Sequence, residues 1–272
     1  MNLKAWLVRL HWLLSAQLGF DPRMLLRSLR GLPRYFTDYY KFRANYSDGI
    51  ELVPCLHDWY AEAGATKNEY FLQDLFVARM IFVANPKRHI DIGSRIDGFV
   101  AHVASFREIE VFDIRPITSQ IPGIIFRQAD LTSLPDNFAE CCDSLSCLHA
   151  LEHFGLGRYG DALDPLGFGR GLTSMASLLK EGGVFYLAVP IGAKRVEFNA
   201  QRISDPRDVV RLAREHSLVL DNLTVIGQGG QVTSLGNDEQ QFAKVAAERY
   251  FLGLFSFKKI RDCAVEEIHD VL

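Results

Sequence analysis

The sequence predicts a doubly wound α/β fold on a mostly parallel sheet, preceded by a helical arm. Three observations carry this. From Glu69 onward, short apolar runs alternate with segments of helical period, the pattern of strand–helix–strand units. Asp91, Asp113 and Asp130 stand at or just beyond the ends of the first three apolar runs, where open α/β sheets bind ligands. The chain has 272 residues, 48% hydrophobic and 23% charged. That is enough for a large core without disulfides or metals, and it excludes a disordered or fibrous chain.

The elements follow in order. Residues 3–30 read as one or two helices, with Leu3, Trp6, Leu7, Leu10, Leu13, Leu14 and Leu18 at helical spacing and Pro33 ending the region. Residues 69–84 form a helix closed by Asn85-Pro86. His89–Ile92 is a strand entering a Gly-Ser turn, and Ile96–Phe106 is a helix. Strands are expected at Glu108–Phe112, Gly123–Arg127 and Glu140–Cys147. A helix over Pro165–Leu179 stops at Gly182-Gly183, and a strand follows at Val184–Val189. Asp205–His216 is a helix, Leu218–Ile226 a strand, Asp238–Leu252 a helix and Leu254–Lys259 a last strand. No repeat or low-complexity linker interrupts this, so the expected division is an arm over 1–68 and a domain over 69–272.

Charge is unevenly spread along the chain. The net charge of −3 gives no global reason to expect nucleic acid. Residues 1–45 hold eight Lys and Arg against Asp21 and Asp38, a balance of +6, which leaves −9 for the other 227. The arm has two readings. It is a helical cap with solvated basic residues, or an interfacial segment whose aromatic residues (Tyr35, Phe36, Tyr39, Tyr40, Phe42) face anionic lipid. Ala5–Phe20 is broken by Arg9 and His11 and falls short of the ~20 apolar residues of a membrane span. No convincing signal-peptide cleavage site follows it. Five cysteines without a C-x-x-C pair suggest a cytoplasmic chain, with Cys141, Cys142 and Cys147 as small core residues. Zinc spacing is absent, so no metal is expected.

Gly93, directly after the first strand, permits the positive φ of a tight turn, and the next helix offers free N–H groups. The order D-x-G-x-x-x-x-G matches neither the dinucleotide nor the phosphate-loop fingerprint. Asp113 lies 20 residues beyond Gly93, the place of a ribose-hydroxyl acceptor, and Asp130 follows the third strand.

Asp91-x-Gly93, Asp113, Asp130, the run Cys147–His153 and Leu178–Gly183, in that order, resemble class I S-adenosylmethionine-dependent methyltransferases over roughly residues 69–260. More narrowly, Asp91–Gly98, Glu152–Asp161 and Phe198–Arg202 are similar to the uncharacterised family catalogued as domain of unknown function 268. The resemblance implies a seven-stranded Rossmann-like sheet with an antiparallel last strand. It implies that Asp91, Gly93 and Ser94 line the methionine side of S-adenosylmethionine, with S-adenosylhomocysteine as product. Asp113 would bind the ribose and Asp130 the adenine, with Ile114 and Leu131 against the base and Leu148 beside the cofactor. Arg95 and Asp97 stand where the family commonly has glycine. An arginine there either reaches over the cofactor carboxylate or fills the pocket.

His153, His149 and Asp161 are the candidate catalytic groups: a base near neutrality for a hydroxyl nucleophile, and an acid to orient it. Glu152, Arg158, Tyr159, Asn199 and Arg202 are candidate substrate contacts. The expected function is methyl transfer to a hydroxyl of a small molecule or glycan, a sugar of a cell-surface or lipid-linked glycan being the specific guess. The enzyme would be cytoplasmic, with the arm over residues 1–45 at the inner face of a membrane. The alternative is a non-catalytic methyltransferase-like scaffold; a nicotinamide oxidoreductase is disfavoured by the missing fingerprint.

Overall fold

The computed structural model describes residues 3–64, 66–133 and 138–261. The ends of the predicted arm and domain, residues 1–2 and 262–272, lie outside the described residues. The chain folds as two compact units, residues 1–65 and 66–272.

In the first unit, α1 spans Leu3–Trp12 and runs into a wide turn at Leu13–Gln17. Asp21 caps α2 by accepting the Arg23 N–H at 2.8 Å, and Pro22 takes the first-turn position that suits its fixed φ. α2 then spans Pro22–Arg43, straight through Pro33. The sequence reading ended the helical region there. A proline inside a helix costs about 3 kcal/mol, and here packing outweighs it. Leu56 lies against Gly31, and Arg30 sits over the Tyr60 ring at 5.2 Å.

The second unit is a three-layer sandwich. α3 (Glu69–Ala84) is capped by Asn68 and ends on left-handed Asn85. The strands are β1 (His89–Ile92), β2 (Ile109–Asp113), β3 (Ile124–Gln128), β4 (Cys142–Leu148) and β5 (Leu179–Ile191). β6 (Arg195–Glu197) and β7 (Gln201–Ile203) make a separate small hairpin. β8 (Leu218–Ile226), β9 (Val232–Gly236) and β10 (Phe251–Lys259) complete the main sheet. Its order is β3-β2-β1-β4-β5-β10-β8-β9, with β1 to β5 parallel and β10 antiparallel to both β5 and β8.

The antiparallel last strand is as expected, and the sheet gains an eighth strand. β9 pairs antiparallel with β8 at the edge, Val225 opposite Thr233. It is short and largely exposed, so it lacks the apolar run by which buried strands announce themselves. Two further corrections are local. β5 begins at Leu179 and runs through Gly182-Gly183, which therefore do not separate helix from strand. The last helix, α7 (Glu239–Ala247), stops short of Leu252, which belongs to β10.

Alternation along the strands builds two cores. Leu145, Phe185, Leu187, Phe255 and Phe257 face α5 (Gly167–Leu178), α6 (Pro206–Arg214) and α7. Val111, Tyr186, Ala188 and Leu254 face α3 and α4 (Ala101–Ala104). Cys142 and Cys147 are buried, Cys141 is half-buried and Cys55 exposed, and all four are free thiols.

Candidate functional site

A cavity of about 580 Å³ opens at the carboxyl ends of β1, β2 and β4, roofed by the loop after β4 and closed by α3. Its floor is the turn after β1. Gly93 has φ +68°, and its N–H donates to Phe112 O at 2.8 Å. A Cβ at this position would stand 2.9 Å from the Ala150 Cβ, so backbone can approach there and a side chain cannot. Asp91 lies beneath the floor, fully buried, and does not line the cavity. Its carboxylate accepts from Ser94 N at 3.0 Å, Ser94 Oγ at 2.7 Å and Ser146 Oγ at 2.6 Å. Burial raises its pKa to about 7 against the pull of these hydrogen bonds. Ser94 Oγ in turn accepts the Leu148 N–H at 3.1 Å, which ties β4 to the turn.

Arg95 turns onto Asp97 as a two-pronged pair at 3.0 and 2.7 Å. Both side chains are mostly exposed at the cavity rim, so the arginine does not fill the pocket.

The walls combine acids with apolar surface. Asp113 ends β2 and accepts from Arg115 three times: N–H at 2.8 Å, Nε at 3.0 Å and Nη2 at 2.6 Å. Asp130 accepts Thr132 N–H at 2.8 Å and Thr132 Oγ1 at 2.7 Å. Phe112, Ile114, Phe126, Leu131 and Leu148 line the space between them.

α3 contributes Tyr70, Gln73 and Asp74, which the sequence reading missed. Gln73 is a bridge: its Nε2 donates to Asp74 Oδ1 at 3.1 Å, and its Oε1 sits 2.9 Å from His149 Nδ1. Burial lifts Asp74 to a pKa of about 6. One signal was available: Gln73 and Asp74 are polar residues on the helix face that otherwise buries Val77, Ala78 and Ile81.

The segment after β4 carries the candidate bases. His149 has φ +54°, its side chain is 4% exposed, and its ring lies against the Tyr70 ring at 4.2 Å. His153 has Nδ1 at 2.7 Å from Ala200 O, so that nitrogen carries the proton, and Nε2 faces Glu152 Oε1 at 3.5 Å. Burial depresses both imidazoles, to about 3 for His149 and about 4 for His153, so both are neutral at pH 7. Glu152 is fully buried behind the cavity wall, and burial raises its pKa to about 8. Among the described residues, neither of its oxygens nor His149 Nε2 has a hydrogen-bond partner.

Asp161 closes the glycine-rich loop on itself. Its carboxylate accepts from Gly155 N at 2.7 Å, Gly157 N at 3.2 Å and Tyr159 N at 3.2 Å. The loop so held presents Arg158 and Tyr159 at the cavity, and Arg115 sits over the Tyr159 ring at 4.5 Å. Arg158 Nη1 also donates to Ala200 O at 2.8 Å. Arg202 points elsewhere: it donates to the carbonyls of Phe154, Glu152 and Asp164 beneath the loop. Asn199 is exposed and outside the cavity lining. The cavity thus gathers Gly93, Ser94, Arg95, Asp113, Ile114, Asp130, Leu131, Leu148, His149, His153, Arg158, Tyr159 and Asp161, and leaves out Asp91, Glu152, Asn199 and Arg202. No group of three or more His, Cys, Asp or Glu could hold a metal ion among the described residues.

Strand order, the antiparallel β10 and a cavity at the carboxyl ends of the parallel strands define a Rossmann-like fold of the methyltransferase type. The family described as Caenorhabditis protein of unknown function, DUF268, matches residues 118–216, which span the Glu152–Asp161 and Phe198–Arg202 motifs. No match was found among curated proteins. Solved structures of similar fold include the N-methyltransferase NodS from Bradyrhizobium japonicum WM9, in complex with S-adenosylhomocysteine. It is 16% identical, with 75% of this chain and 92% of that one covered and a TM-score of 0.49. The 1,6-didemethyltoxoflavin-N1-methyltransferase of Burkholderia thailandensis is 13% identical, covers 89% and 92%, and scores 0.47. The [4+2]-cyclase SpnF is 14% identical, covers 70% and 80%, and scores 0.48.

Proposed function

We propose that this protein transfers a methyl group from S-adenosylmethionine to a hydroxyl group. The observation that carries the reading is the cavity itself. It has a side-chain-free floor at Gly93, two hydrogen-bond-accepting acids at successive strand ends and an apolar wall between them, which together suit a nucleoside with an amino-acid tail. Asp113 would accept from the ribose hydroxyls, and Asp130 from the adenine amino group. Ile114, Leu131 and Leu148 would enclose the base, and Gly93, Ser94 and Arg95 would hold the methionine end. Asp91 acts from below by fixing Ser94. When bound, the cofactor supplies an electrophilic methyl group on a sulfonium.

The chain's own groups then provide the base. His153 is neutral, and Ala200 O fixes the proton on Nδ1, which leaves Nε2 to take one up. A proton gained at Nε2 faces Glu152, itself protonated at neutral pH, whose carbonyl oxygen can accept from it. His149, oriented by Gln73, is the second candidate. Asp161 holds the loop that carries Arg158 and Tyr159 to the acceptor. We take the acceptor to be a small molecule or glycan, a sugar of a lipid-linked or cell-surface glycan, and place the enzyme at the cytoplasmic face of a membrane through residues 1–45. No helix among the described residues is long and apolar enough to cross a membrane.

One observation favours a second reading, a non-catalytic scaffold: Arg115 already occupies Asp113. Calorimetry decides between them. Saturable binding of S-adenosylmethionine and S-adenosylhomocysteine supports the enzyme, and no heat at millimolar ligand removes it. Transfer of a labelled methyl group to hydroxyl-bearing glycan acceptors, lost in His153→Ala, tests the chemistry.

A further inference from the structure

The acids that line the cavity differ in what already holds them. Asp97 is paired with Arg95, and Asp113 with Arg115. Asp161 is held by three N–H groups of its own loop, and Asp130 by the N–H and hydroxyl of Thr132. That leaves Asp74, which is 6% exposed and the most deeply buried of these acids.

α3 delivers this carboxylate to the turn after β1. Its Oδ1 accepts from Gln73 Nε2 at 3.1 Å, and the group also accepts the Phe99 N–H. An ionised carboxylate has about four acceptor positions, so about two stay open. A Cβ at Gly98 would stand 2.8 Å from Asp74 Oδ2. The second glycine of D-x-G-x-x-x-x-G therefore makes room for a carboxylate from another element. The cations nearby do not neutralise it. Arg95 is turned onto Asp97, and His102 Nδ1 is taken up with Gly98 O at 2.7 Å. Among the described residues Asp74 forms no ion pair. Burial raises its pKa to about 6, which still leaves it ionised at pH 7. A buried anion without a cation is costly, and a cationic ligand offsets that cost.

The sheet order β3-β2-β1-β4 says which part of a ligand meets it. Asp130 follows β3, Asp113 ends β2 and Gly93 follows β1, while Gln73, beside Asp74, reaches His149 after β4. Asp74 thus lies across Gly93 from the acids proposed for the adenine and the ribose, at the tail end of the cofactor. Of the two cationic centres of S-adenosylmethionine, the sulfonium is one carbon from the ribose ring, and the ammonium lies three carbons beyond the sulfur. The ammonium is the centre that reaches this end.

We infer that Asp74 is the counter-ion of the cofactor's ammonium group, a contact from α3 added to those of Gly93, Ser94 and Arg95. This rests on the S-adenosylmethionine reading above and names a specificity-determining residue of that same site.

The experiment is calorimetry of the full chain with three ligands: S-adenosylhomocysteine, its deaminated analogue, which keeps the carboxylate, and 5′-methylthioadenosine, which lacks the tail. Wild type should bind S-adenosylhomocysteine about 10- to 100-fold more tightly than the deaminated analogue, the worth of a hydrogen bond between charged groups. Asp74→Asn, similar in shape, should bring these two ligands level and leave 5′-methylthioadenosine unchanged. Equal binding of S-adenosylhomocysteine and the deaminated analogue by wild type overturns the inference without any variant being needed. An Asp74→Asn chain that weakens all three ligands by the same factor also overturns it, because that marks a structural role. Wild type that binds none of the three removes the S-adenosylmethionine reading itself, and the inference with it.

Discussion

At Asp113 a single carboxylate carries much of the functional reading. It stands at the end of β2, accepts three hydrogen bonds from Arg115 and faces the cavity. Asp113→Ala should weaken S-adenosylhomocysteine binding about 10- to 100-fold by calorimetry, the worth of hydrogen bonds to an ionised acceptor. Glu152 is a different kind of residue, buried without partners, and its consequence is a pH dependence of stability. Its pKa rises from the usual 4.5 to about 8, so between those values the folded state holds a proton that the unfolded chain has lost. Stability from this group is complete below about 4.5 and declines as pH climbs toward 8. Glu152→Gln is neutral and similar in shape, so denaturant titrations of this variant should lose that high-pH decline and match wild type near pH 5. The histidines have the opposite sign. His149 and His153 are depressed from 6.5, so their contribution is complete above 6.5 and is lost as pH falls toward about 3 and 4. Position was legible in the sequence at Asp113, because a strand end 20 residues past a glycine turn has one meaning in this fold. Orientation was not. Asp161, Arg202 and Glu152 look alike as polar residues near a glycine loop, and only the fold shows which carbonyls and N–H groups they meet.

Among the elements, the turn after β1 is the most constrained. Its φ of +68° and the 2.9 Å approach to Ala150 both require glycine at position 93. Gly93→Ala should destabilise the fold by about 1–3 kcal/mol in chemical denaturation, the usual cost of strain at such a position, and close the floor to ligand. The loop from Gly155 to Asp161 is closed on itself by the Asp161 carboxylate, and Asp161→Asn removes its charge. Faster amide exchange confined to residues 155–161, with the sheet unchanged, is the expected result. Regular elements with an apolar face were readable, and Leu218–Ile226 coincides with β8. The misses share a cause. Pro33 and Gly182-Gly183 are local breakers that packing and strand pairing override, and β9 is an exposed edge without a hydrophobic signature. α3 was read as a helix, yet its part in the site was invisible until the fold brought Gln73 beside His149.

On the scale of the whole molecule, two units of opposite charge share one chain. Counted to the boundary at residue 65, the first unit holds eight Lys and Arg against six Asp and Glu, a balance of +2, which leaves −5 for the second. Among the described residues, those that line the cavity run from Tyr70 to Asp161 and belong to the second unit. A chain beginning at Thr66 should therefore keep a cooperative thermal transition and bind S-adenosylhomocysteine as the full chain does. Arg115 gives the body a second property. One guanidinium grips Asp113 at the end of β2 and rests on Tyr159 in the loop after β4. Two regions distant in sequence therefore draw on one cation, and whatever changes the hold of one changes the hold of the other by the same free energy. A double-mutant cycle of Asp113→Asn and Tyr159→Leu, read by stability, should give a non-zero coupling that vanishes in an Arg115→Gln background. Ligand occupancy at the sheet and posture of the loop are then two readings of a single balance.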